Sequence, residues 1–412
     1  MERAELAAKL GASPAKTPNA NGQTPNLICE TDPQKFMAAF ADAVAGDAEV
    51  FLCDPQWGAT ERAQVAALLK SKIENPKSKI SQGWLMIPTG GSSGAIKFAR
   101  HDQDTITAAV SGFTKHFGLA RVNAIGVLPL HHVSGLMAWM RCTLTGGEYR
   151  HLTWRGLEGG EMPKLGTNTE GWVISLVGAQ LYRLLLQPAA VEWLRCFRVI
   201  FVGGSPVSTE TMDRAASLGL RLSPGYGMTE TAAMVAGLRP EEFAAGARDN
   251  GPVLPHAAVT VGQDSSITVT GGSLFRGYYP HETRQDPFET GDLGRLDARG
   301  HLTVFGRRDE IIISGGEKIQ PGEVEARLLM TGEFQEVIVV GLPDPHWGQI
   351  VVAAYSAATQ PDLAKVRKAL AGVLASYKQP KHFVPLGDWP ANSLAKIRRR
   401  EMARRVAEQL KP

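Results

Sequence analysis

Short apolar runs alternate with amphipathic segments up to about Arg248. The runs at 123–130 (NAIGVLPL), 171–177 (GWVISLV) and 197–204 (FRVIFVGG) predict buried strands. The segments 104–119 and 208–218 have the apolar spacing of helices. Because buried strands separated by helices are typical of parallel or mixed sheets, this pattern predicts an α/β fold.

The pattern differs before the first of these strands. Residues 12–27 are polar and rich in proline and asparagine, which predicts a loop or a poorly ordered segment. Residues 36–72 have a helical pattern that the stretch FLCDPQWG interrupts. The apolar residues 85–87 predict the end of a buried strand, which Pro88 is expected to stop.

After Arg248 the pattern changes to short strands and turns. The segments 257–272, 274–279 and 294–307 predict a β-rich subdomain. Beyond a boundary near 307–313, a helix, two strands and another helix predict a separate small α+β domain. The sequence therefore predicts a large N-terminal domain over residues 1–307, with mixed sheets, helices and the β-rich subdomain, and a small C-terminal domain over residues 308–412.

Composition narrows the class of protein. The 412 residues carry a formal net charge of +3, which gives no electrostatic case for nucleic-acid binding. The basic run 398–400 is interpreted as a solvated helix face. No apolar run has the length of a membrane span, and the N-terminus lacks the apolar core of a signal peptide. The four cysteines are far apart without a CxxC pair, so we expect reduced, buried thiols in a cytoplasmic protein.

The stretch LMIPTGGSSGAIKFA (85–99) is the first candidate binding site. Its glycines and hydroxyl residues let successive N–H groups turn inward as an anion-binding nest, and Lys97 adds a positive charge. A phosphate is therefore the expected ligand. A Walker A loop is excluded because Ala95 and Ile96 separate Gly94 from the lysine. A plain flexible turn is the alternative.

The stretch PGYGMTETAAMV (224–235) is the second candidate. A Gly-Tyr-Gly turn would expose backbone, and Tyr226 would offer a flat face to a base. Thr229 supplies a hydroxyl and Glu230 a carboxylate, the group that holds Mg²⁺ beside a phosphate. Alternatively, Thr229 and Glu230 only open the helix that follows.

Two later stretches also carry candidate binding groups. In FETGDLGRL (288–296), Asp292 lies in a predicted turn and could accept both ribose hydroxyls, or could form only an Asx-turn. In the stretch 304–325, Arg307 could reach a phosphate or a ribose, and Asp309 lies where the domains should join. Gly315-Gly316 would permit the close approach of a thin ligand.

Taken in order, the motifs TGGSSG, LPLHHVSG, VGGSP, GYGMTE, ETGD, GRRDE and SGGEKIQPGEVE resemble those of the adenylate-forming superfamily. That superfamily contains acyl-CoA synthetases, luciferases and adenylation domains, and the resemblance covers about residues 81–400. Within it, SLVGAQLYRLLLQP and SGGEKIQPGEVE are most similar to the o-succinylbenzoate–CoA ligases of menaquinone and phylloquinone synthesis.

This chain departs from the family pattern at three places. Gly90 and Ile96 replace the usual serine and proline of the glycine loop. Ala395 replaces the glycine before the C-terminal Lys396. The segment before the loop is shorter than in most relatives, which predicts a reduced N-terminal layer.

The resemblance implies an ATP-dependent acid–CoA ligase with two half-reactions at one site. A carboxylate attacks the α-phosphorus of ATP, giving an acyl-adenylate and pyrophosphate in the presence of Mg²⁺. The mobile C-terminal domain then rotates about the hinge Asp309, and CoA displaces AMP. The expected partners are therefore small molecules, and a homodimer is a possible assembly.

The resemblance also assigns site residues. Catalysis is assigned to Lys396, Thr229, Glu230 and His132. Glu230 is also the expected metal ligand, and His132 would line the acyl pocket unless it serves only in packing. Nucleotide and CoA binding is assigned to Thr89, Gly91, Ser92, Ser93, Gly94, Lys97, Gly204, Ser205, Gly225, Tyr226, Asp292, Arg307, Gly315 and Gly316.

The expected acid has a second, unreactive carboxylate. An apolar pocket would leave that charge desolvated without a partner. Gln180 and Arg183 lie three residues apart on a predicted helix and share a face, so they are expected to bind the acid together with Gly227 and Met228. A surface salt bridge is the alternative role of Arg183.

Three other functions use the same sequence features. The chain could ligate another aryl or acyl acid to CoA, or load a carrier protein after adenylation. A binding protein with an inactive site is disfavoured, because the candidate catalytic residues Thr229, Glu230 and Lys396 are all present.

Overall fold

The computed structural model describes residues 1–12, 25–74, 83–90, 95–165, 171–204, 207–280, 286–387, 389 and 399–410. Its strands are β1 (Asn26–Ile28), β2 (Val50–Leu52), β3 (Leu85–Gly90), β4 (Ile96–His101), β5 (Asn123–Gly126), β6 (Tyr149–His151), β7 (Trp172–Leu176), β8 (Val199–Val202), β9 (Leu222–Met228), β10 (Ala233–Gly237), β11 (Ala257–Val261), β12 (Ser266–Gly271), β13 (Tyr278–Tyr279), β14 (Phe288–Leu296), β15 (Leu302–Arg307), β16 (Ile312–Ser314), β17 (Glu317–Ile319), β18 (Val337–Asp344), β19 (Gly348–Ser356) and β20 (His382–Leu386).

The helices lie between these strands. The α-helices are α1 (Arg3–Lys9), α2 (Pro33–Ala45), α3 (Ala59–Glu74), α4 (Gln103–Phe117), α5 (Val133–Thr145), α6 (Trp154–Glu158), α7 (Gly178–Leu184), α8 (Pro188–Leu194), α9 (Thr209–Ser217), α10 (Pro240–Ala244), α11 (Pro321–Met330), α12 (Leu363–Leu370) and α13 (Arg399–Gln409). Short 3₁₀ helices cover Thr229–Thr231, Arg308–Glu310 and Ser376–Lys378.

The first sheet contains the N-terminal strands, in the order β1-β2-β3-β4-β13. The prediction that Pro88 ends a strand is wrong, because β3 continues to Gly90 and pairs with β4 along its whole length. Strand β2 pairs with β3 only at Leu85 and Met86. Beyond Met86, β3 therefore has a neighbour on one side only, and a residue without an N–H donor is tolerated there.

The second sheet confirms the predicted α/β pattern. Its order is β10-β9-β8-β7-β5-β6, and all its pairs are parallel except β9 with β10. Apolar side chains of β5, β7 and β8 pack with those of α7 and α8 in one buried cluster. The carboxyl ends of β8 and β9 lead into the segments 203–208 and 229–232, which carry candidate site residues.

The third sheet, β11-β12-β14-β15, is antiparallel and forms most of the predicted β-rich region. Strand β13 was expected in this region but pairs with β4 in the first sheet. Asp292 was expected in a turn but lies within β14, after Gly291 at φ +74°. Gly291 lies where the register of β14 against β12 shifts, between Glu289 and Leu293, and such a bulge accommodates a residue with positive φ.

The fourth sheet, β17-β16-β19-β18 with β20 beside β19, belongs to the C-terminal part of the chain. The third sheet ends at Arg307 and the fourth begins at Ile312, within the interval where the sequence places the domain boundary. The second predicted helix of this part, over residues 362–376 (DLAKVRKALAGVLAS), ends at Leu370, because Ala371 is extended and Gly372 has φ +78°.

Two observations bear on the expectations from composition. Cys53 and Cys142 are buried as predicted, but Cys29 and Cys196 are exposed, so the prediction of four buried thiols is wrong. No described helix has the length and apolar character needed to cross a membrane.

Candidate active site

Glu230 lies at the centre of the first group of candidate residues. It is only 8% exposed and belongs to the 3₁₀ turn between β9 and β10. Its Oε1 accepts hydrogen bonds from Thr89 Oγ1 at 3.3 Å and from the Tyr278 hydroxyl at 2.7 Å. The side chain therefore bonds to two other strands instead of capping an α-helix, the alternative that the sequence left open.

The glycine loop starts and ends beside this carboxylate. Gly91, Ser92, Ser93 and Gly94 lie outside the described residues, but Gly90 pairs with Ile96 and Thr89 with Lys97 across the two strands that the loop joins. The Lys97 Nζ lies 5.2 Å from the centroid of the Tyr278 ring. The structure thus brings Thr89, Lys97 and Glu230 together at one end of the first sheet.

His101 is hydrogen-bonded to the 3₁₀ turn that carries Glu230, and the sequence analysis did not identify this histidine. The side chain is fully buried, and its Nε2 donates to the Thr229 carbonyl at 2.8 Å. A carbonyl only accepts hydrogen bonds, so the proton lies on Nε2, and Nδ1 is left to accept from the Thr105 hydroxyl at 3.1 Å. Burial lowers the pKa of His101 to about 4, so the ring is neutral at pH 7.

Asp292 is the centre of a second group. It is 7% exposed, and its Oδ2 accepts a hydrogen bond from the Tyr226 hydroxyl at 2.7 Å. Arg307, its partner across β14 and β15, donates to Oδ1 at 3.3 Å and to the Thr290 carbonyl at 2.8 Å. This carboxylate therefore contacts side chains of two other strands, Tyr226 of β9 and Arg307 of β15.

Charge and burial shift the pKa values in this second group. Burial and then the charge of Asp292 raise the pKa of Tyr226, which stays a protonated donor at neutral pH. Burial by itself lowers the pKa of the Arg307 guanidinium, but the negative charges of Asp292 and Asp309 have the larger effect and raise this pKa. Arg307 also donates to Asp309 Oδ1 at 3.2 Å, so the expected hinge residue is hydrogen-bonded to this second group.

The Gly-Tyr-Gly segment is a strand, so the prediction of an exposed turn is wrong. Gly225, Tyr226 and Gly227 lie in β9 and pair with β10. The Tyr226 ring packs in a buried cluster with Val235 and Ala236, and a Cβ on Gly227 would lie 1.9 Å from the Ala233 carbonyl oxygen. The close approach of β10 is therefore one physical reason for glycine at position 227.

Arg183 and Gln180 lie on α7, whose leucines Leu181 and Leu184 pack into the core. The Arg183 guanidinium donates to Glu158 Oε1 at 3.1 Å and to Glu336 Oε1 at 3.2 Å. The structure thus has the salt bridge that was the alternative for Arg183. Gln180 is 2% exposed, its Oε1 accepts from the Val177 N–H, and its Nε2 has no hydrogen-bond partner among the described residues.

His132 lies at the N-terminal end of α5, with its ring 4.4 Å from that of His131. His131 Nε2 is 3.6 Å from Asp54 Oδ1, and the donor atoms of all three residues lie within 4.8 Å of one another. Burial and then the charge of His132 lower the pKa of His131 to about 4, so its ring is neutral at pH 7.

The remaining candidate residues are distributed over the site and the C-terminal part. Met228 ends β9, and Gly204 follows β8 at φ +81°. Gly315 and Gly316 form the turn between β16 and β17, and a Cβ on Gly315 would lie 2.8 Å from the Trp347 ring. Ser205 and Lys396 lie outside the described residues.

The comparison with protein families gives the class of protein. The pattern of the AMP-binding enzyme family matches residues 24–279, and the pattern of the AMP-binding enzyme C-terminal domain matches residues 323–396. The chain therefore belongs to the AMP-binding enzymes.

Its relatives include CoA ligases for particular acids. It is 31% identical to a 2-succinylbenzoate–CoA ligase of Geobacillus kaustophilus, over 77% of this chain and 68% of that protein. A 2-succinylbenzoate–CoA ligase of Listeria monocytogenes is 31% identical over 68% of this chain and 60% of its own length. An indoleacetate–CoA ligase of Aromatoleum aromaticum is 30% identical over 93% of this chain and 78% of its own length.

The fold is also that of a solved relative. The o-succinylbenzoate CoA synthetase of Bacillus subtilis, in a complex with its acyl-adenylate intermediate, superposes with a TM-score of 0.78. The match covers 97% of this chain and 91% of that chain at 22% identity.

Proposed function

We propose that this enzyme is an ATP-dependent acid–CoA ligase that acts through an acyl-adenylate, with o-succinylbenzoate as its acid. The observation that supports it best is the pair of buried carboxylates, Glu230 and Asp292, each held by a tyrosine hydroxyl from another strand. One carboxylate suits a cation and the other suits ribose hydroxyls. The curated relatives that carry out 2-succinylbenzoate ligation support the choice of acid.

In the first half-reaction, a substrate carboxylate oxygen attacks the α-phosphorus of ATP and pyrophosphate leaves. Thr89, Lys97 and the glycine loop would bind the phosphates, and Asp292 would accept the ribose hydroxyls with Arg307 beside it. The residues present fit Mg²⁺, since Glu230 offers a carboxylate oxygen beside the glycine loop. When bound there, Mg²⁺ would neutralise charge on the phosphates.

Lys396 would bridge the substrate carboxylate and the α-phosphate, where it stabilises charge that develops during the attack. In the second half-reaction the C-terminal domain would turn about Asp309 and remove this lysine. The CoA thiolate would then attack the acyl carbonyl, forming a thioester and releasing AMP. Gly315 and Gly316 would lie against the CoA arm.

The second carboxylate of the acid would bind Arg183, with Glu336 displaced from the guanidinium. Gln180 supports this proposal, because it is buried on the same helix and its Nε2 lacks an acceptor among the described residues. His132 would line the acyl pocket, and Gly227 and Met228 would border it.

A second candidate acid is favoured by one observation. The indoleacetate–CoA ligase matches 93% of this chain, more than the 2-succinylbenzoate ligases cited above. An aryl acid with a single carboxylate is therefore the alternative substrate.

The test is CoA-dependent release of AMP over a panel of acids that includes o-succinylbenzoate, indoleacetate, benzoate and short fatty acids. We expect o-succinylbenzoate to give the highest kcat/KM, and highest efficiency with indoleacetate would favour the alternative. Arg183→Leu should lower kcat/KM for o-succinylbenzoate by about 30- to 1000-fold, the cost of leaving a buried carboxylate unpaired. It should have a much smaller effect with 4-phenyl-4-oxobutanoate, which lacks that carboxylate.

A further inference from the structure

Tyr278 contacts the candidate phosphate and cation site in two ways, yet no motif in the sequence singled it out. Its hydroxyl donates to Glu230 Oε1 at 2.7 Å. The face of its ring lies 5.2 Å from the Lys97 Nζ, within the range of a cation–π contact. One side chain thus touches both the carboxylate that would bind Mg²⁺ and the cation that would bind phosphate.

The segment that carries Tyr278 is itself fixed against Glu230. The Phe275 N–H donates to the Glu230 backbone carbonyl at 2.8 Å, so this segment bonds to Glu230 through its main chain as well. Tyr278 pairs with Ala99 of β4, and Arg276 forms two hydrogen bonds to Asp102, at 2.6 and 3.2 Å. These contacts leave the tyrosine little freedom to turn away from the carboxylate.

The hydrogen bonds to Glu230 fall on one of its two oxygens. Thr89 and Tyr278 both donate to Oε1, whereas Oε2 has no hydrogen-bond partner among the described residues. A carboxylate fixed through one oxygen presents the other in a defined direction, which suits the strict octahedral geometry that Mg²⁺ demands.

The hydroxyl of Tyr278 acts as a donor in this contact. It donates to Glu230 Oε1, and a tyrosine phenol carries its proton at neutral pH. A protonated phenol donates this hydrogen bond and thereby orients the Glu230 carboxylate. It does not compete with that carboxylate for the cation.

We propose that Tyr278 is a positioning residue that orients the Glu230 carboxylate for Mg²⁺ and supports Lys97 through its ring. The proposal rests on the proposed function, because it takes Mg²⁺·ATP as the ligand of this site. It assigns the two effects to different parts of one side chain: the hydroxyl acts on the cation, and the ring acts on the lysine.

The experiment measures ATP binding by calorimetry at a series of Mg²⁺ concentrations and also in EDTA, with no acid or CoA present. Tyr278→Phe keeps the ring and removes the hydroxyl. We expect the Mg²⁺ concentration for half-maximal enhancement of ATP binding to rise about 5- to 10-fold, the net scale of one intramolecular hydrogen bond. ATP affinity in EDTA should change less than about 2-fold.

Three other variants separate the effect of the Tyr278 hydroxyl from the effect of its ring. Tyr279→Phe is the matched control, since the neighbouring ring packs against Phe51 at 4.9 Å and should leave the Mg²⁺ dependence unchanged. Thr89→Val removes the longer of the two bonds to Oε1, so a smaller rise is expected. Tyr278→Leu removes the ring as well, and it should also weaken ATP binding in EDTA.

An unchanged Mg²⁺ dependence in Tyr278→Phe would overturn the proposal, as would an equal loss of affinity with and without Mg²⁺. The failure of the proposed function has a different signature. In that case the unaltered enzyme would show no Mg²⁺-dependent binding of ATP, and the proposed role of Tyr278 would be contradicted together with it.

Discussion

The two sides of the candidate active site differ in what their main charged side chains contact. On the nucleotide side, Glu230 and Asp292 each accept a hydrogen bond from a tyrosine hydroxyl. On the acid side, Arg183 donates to the carboxylates of Glu158 and Glu336. On the proposed nucleotide side, the tyrosine hydroxyls and Arg307 thus hold the carboxylates without a ligand, whereas on the proposed acid side Arg183 would exchange one carboxylate partner for another. We infer that nucleotide binding depends on carboxylates that are already held in place. Acid binding depends on competition between the substrate carboxylate and Glu336 for Arg183.

The largest effect is expected for Lys396, whose role is a prediction from the sequence alone. Lys396→Ala should slow acyl-adenylate formation by about 100- to 1000-fold, because a cation at the reacting phosphate stabilises only that transition state. Thioester formation from a supplied acyl-adenylate should change by less than about 3-fold. Single-turnover assays of the two half-reactions measure both.

Lys365→Ala is the control for Lys396, because Lys365 is an exposed lysine that pairs with Glu333 in the C-terminal part. It should affect neither half-reaction. Equal losses in both half-reactions of Lys396→Ala would contradict the two-step scheme with one withdrawn lysine.

Asp292 tests preorganisation on the nucleotide side. Asp292→Ala should weaken ATP binding by about 2–3 kcal/mol, the scale of losing charge-assisted hydrogen bonds to the ribose. Calorimetry measures the change. Asp297→Ala is the matched control, since Asp297 lies just beyond the same strand and accepts hydrogen bonds from the backbone of Arg299 and His301 in its own turn. Unchanged ATP affinity in Asp292→Ala would show that Asp292 serves only the fold.

His101 tests the support beneath Thr229 through the pH dependence of stability. Burial lowers its pKa from 6.5 to about 4, so an unfolded chain binds a proton at this ring before the folded protein does. The ring therefore stabilises the fold fully above pH 6.5, and this contribution is lost as the pH falls towards 4. Linkage puts the loss between pH 7 and pH 5 at about 2 kcal/mol.

His101→Gln keeps a donor near the Nε2 position but removes the titrating ring. The free energy of unfolding, measured with urea at pH 7 and pH 5, should fall less in this variant than in the unaltered protein. Equal decreases in the two proteins would mean that His101 does not titrate as its burial implies.

Glu336 tests competition on the acid side, and its effect should be the smallest. Glu336→Gln removes one of the two carboxylates that hold Arg183, in a pair that is about one-third exposed. An ion pair of this exposure contributes at most about 1 kcal/mol, so the KM for o-succinylbenzoate should fall by about 3-fold. The KM for 4-phenyl-4-oxobutanoate should stay the same.

Glu210→Gln is the control for Glu336, because Glu210 pairs with Arg327 of α11 and has no contact with Arg183. If both variants changed KM equally, the cause would be the arrangement of the C-terminal part rather than competition for the arginine.

On the proposed nucleotide side, the sequence analysis named residues that lie close together in the structure, because each belongs to a short motif; their roles in binding stay a prediction. Thr89, Glu230, Asp292 and Arg307 were all identified, and the structure brings Thr89 to Glu230 and Asp292 to Arg307. The alternating pattern likewise predicted the parallel strands of the second sheet, since each strand is a local apolar run.

The sequence could not predict contacts that depend on strand pairing. Tyr278 was missed because β13 joins the first sheet rather than the β-rich region, and nothing local indicates that partner. The two glycines of Gly225–Gly227 led to the prediction of a turn. In the structure they lie in β9 and allow the close approach of β10, a contact between strands that the local sequence does not reveal. A salt bridge was named as the alternative role of Arg183, but its partners lie 25 and 153 residues away and could not be identified from the sequence.

The central claim is that the acid is activated by adenylation before CoA takes part. The most direct test is exchange of labelled pyrophosphate into ATP in the absence of CoA, with o-succinylbenzoate as the acid. We expect Mg²⁺-dependent exchange that requires o-succinylbenzoate and is lost in Lys396→Ala. Thioester formation with CoA but no acid-dependent exchange without it would contradict the acyl-adenylate mechanism, and no reaction in either assay would contradict the proposed acid.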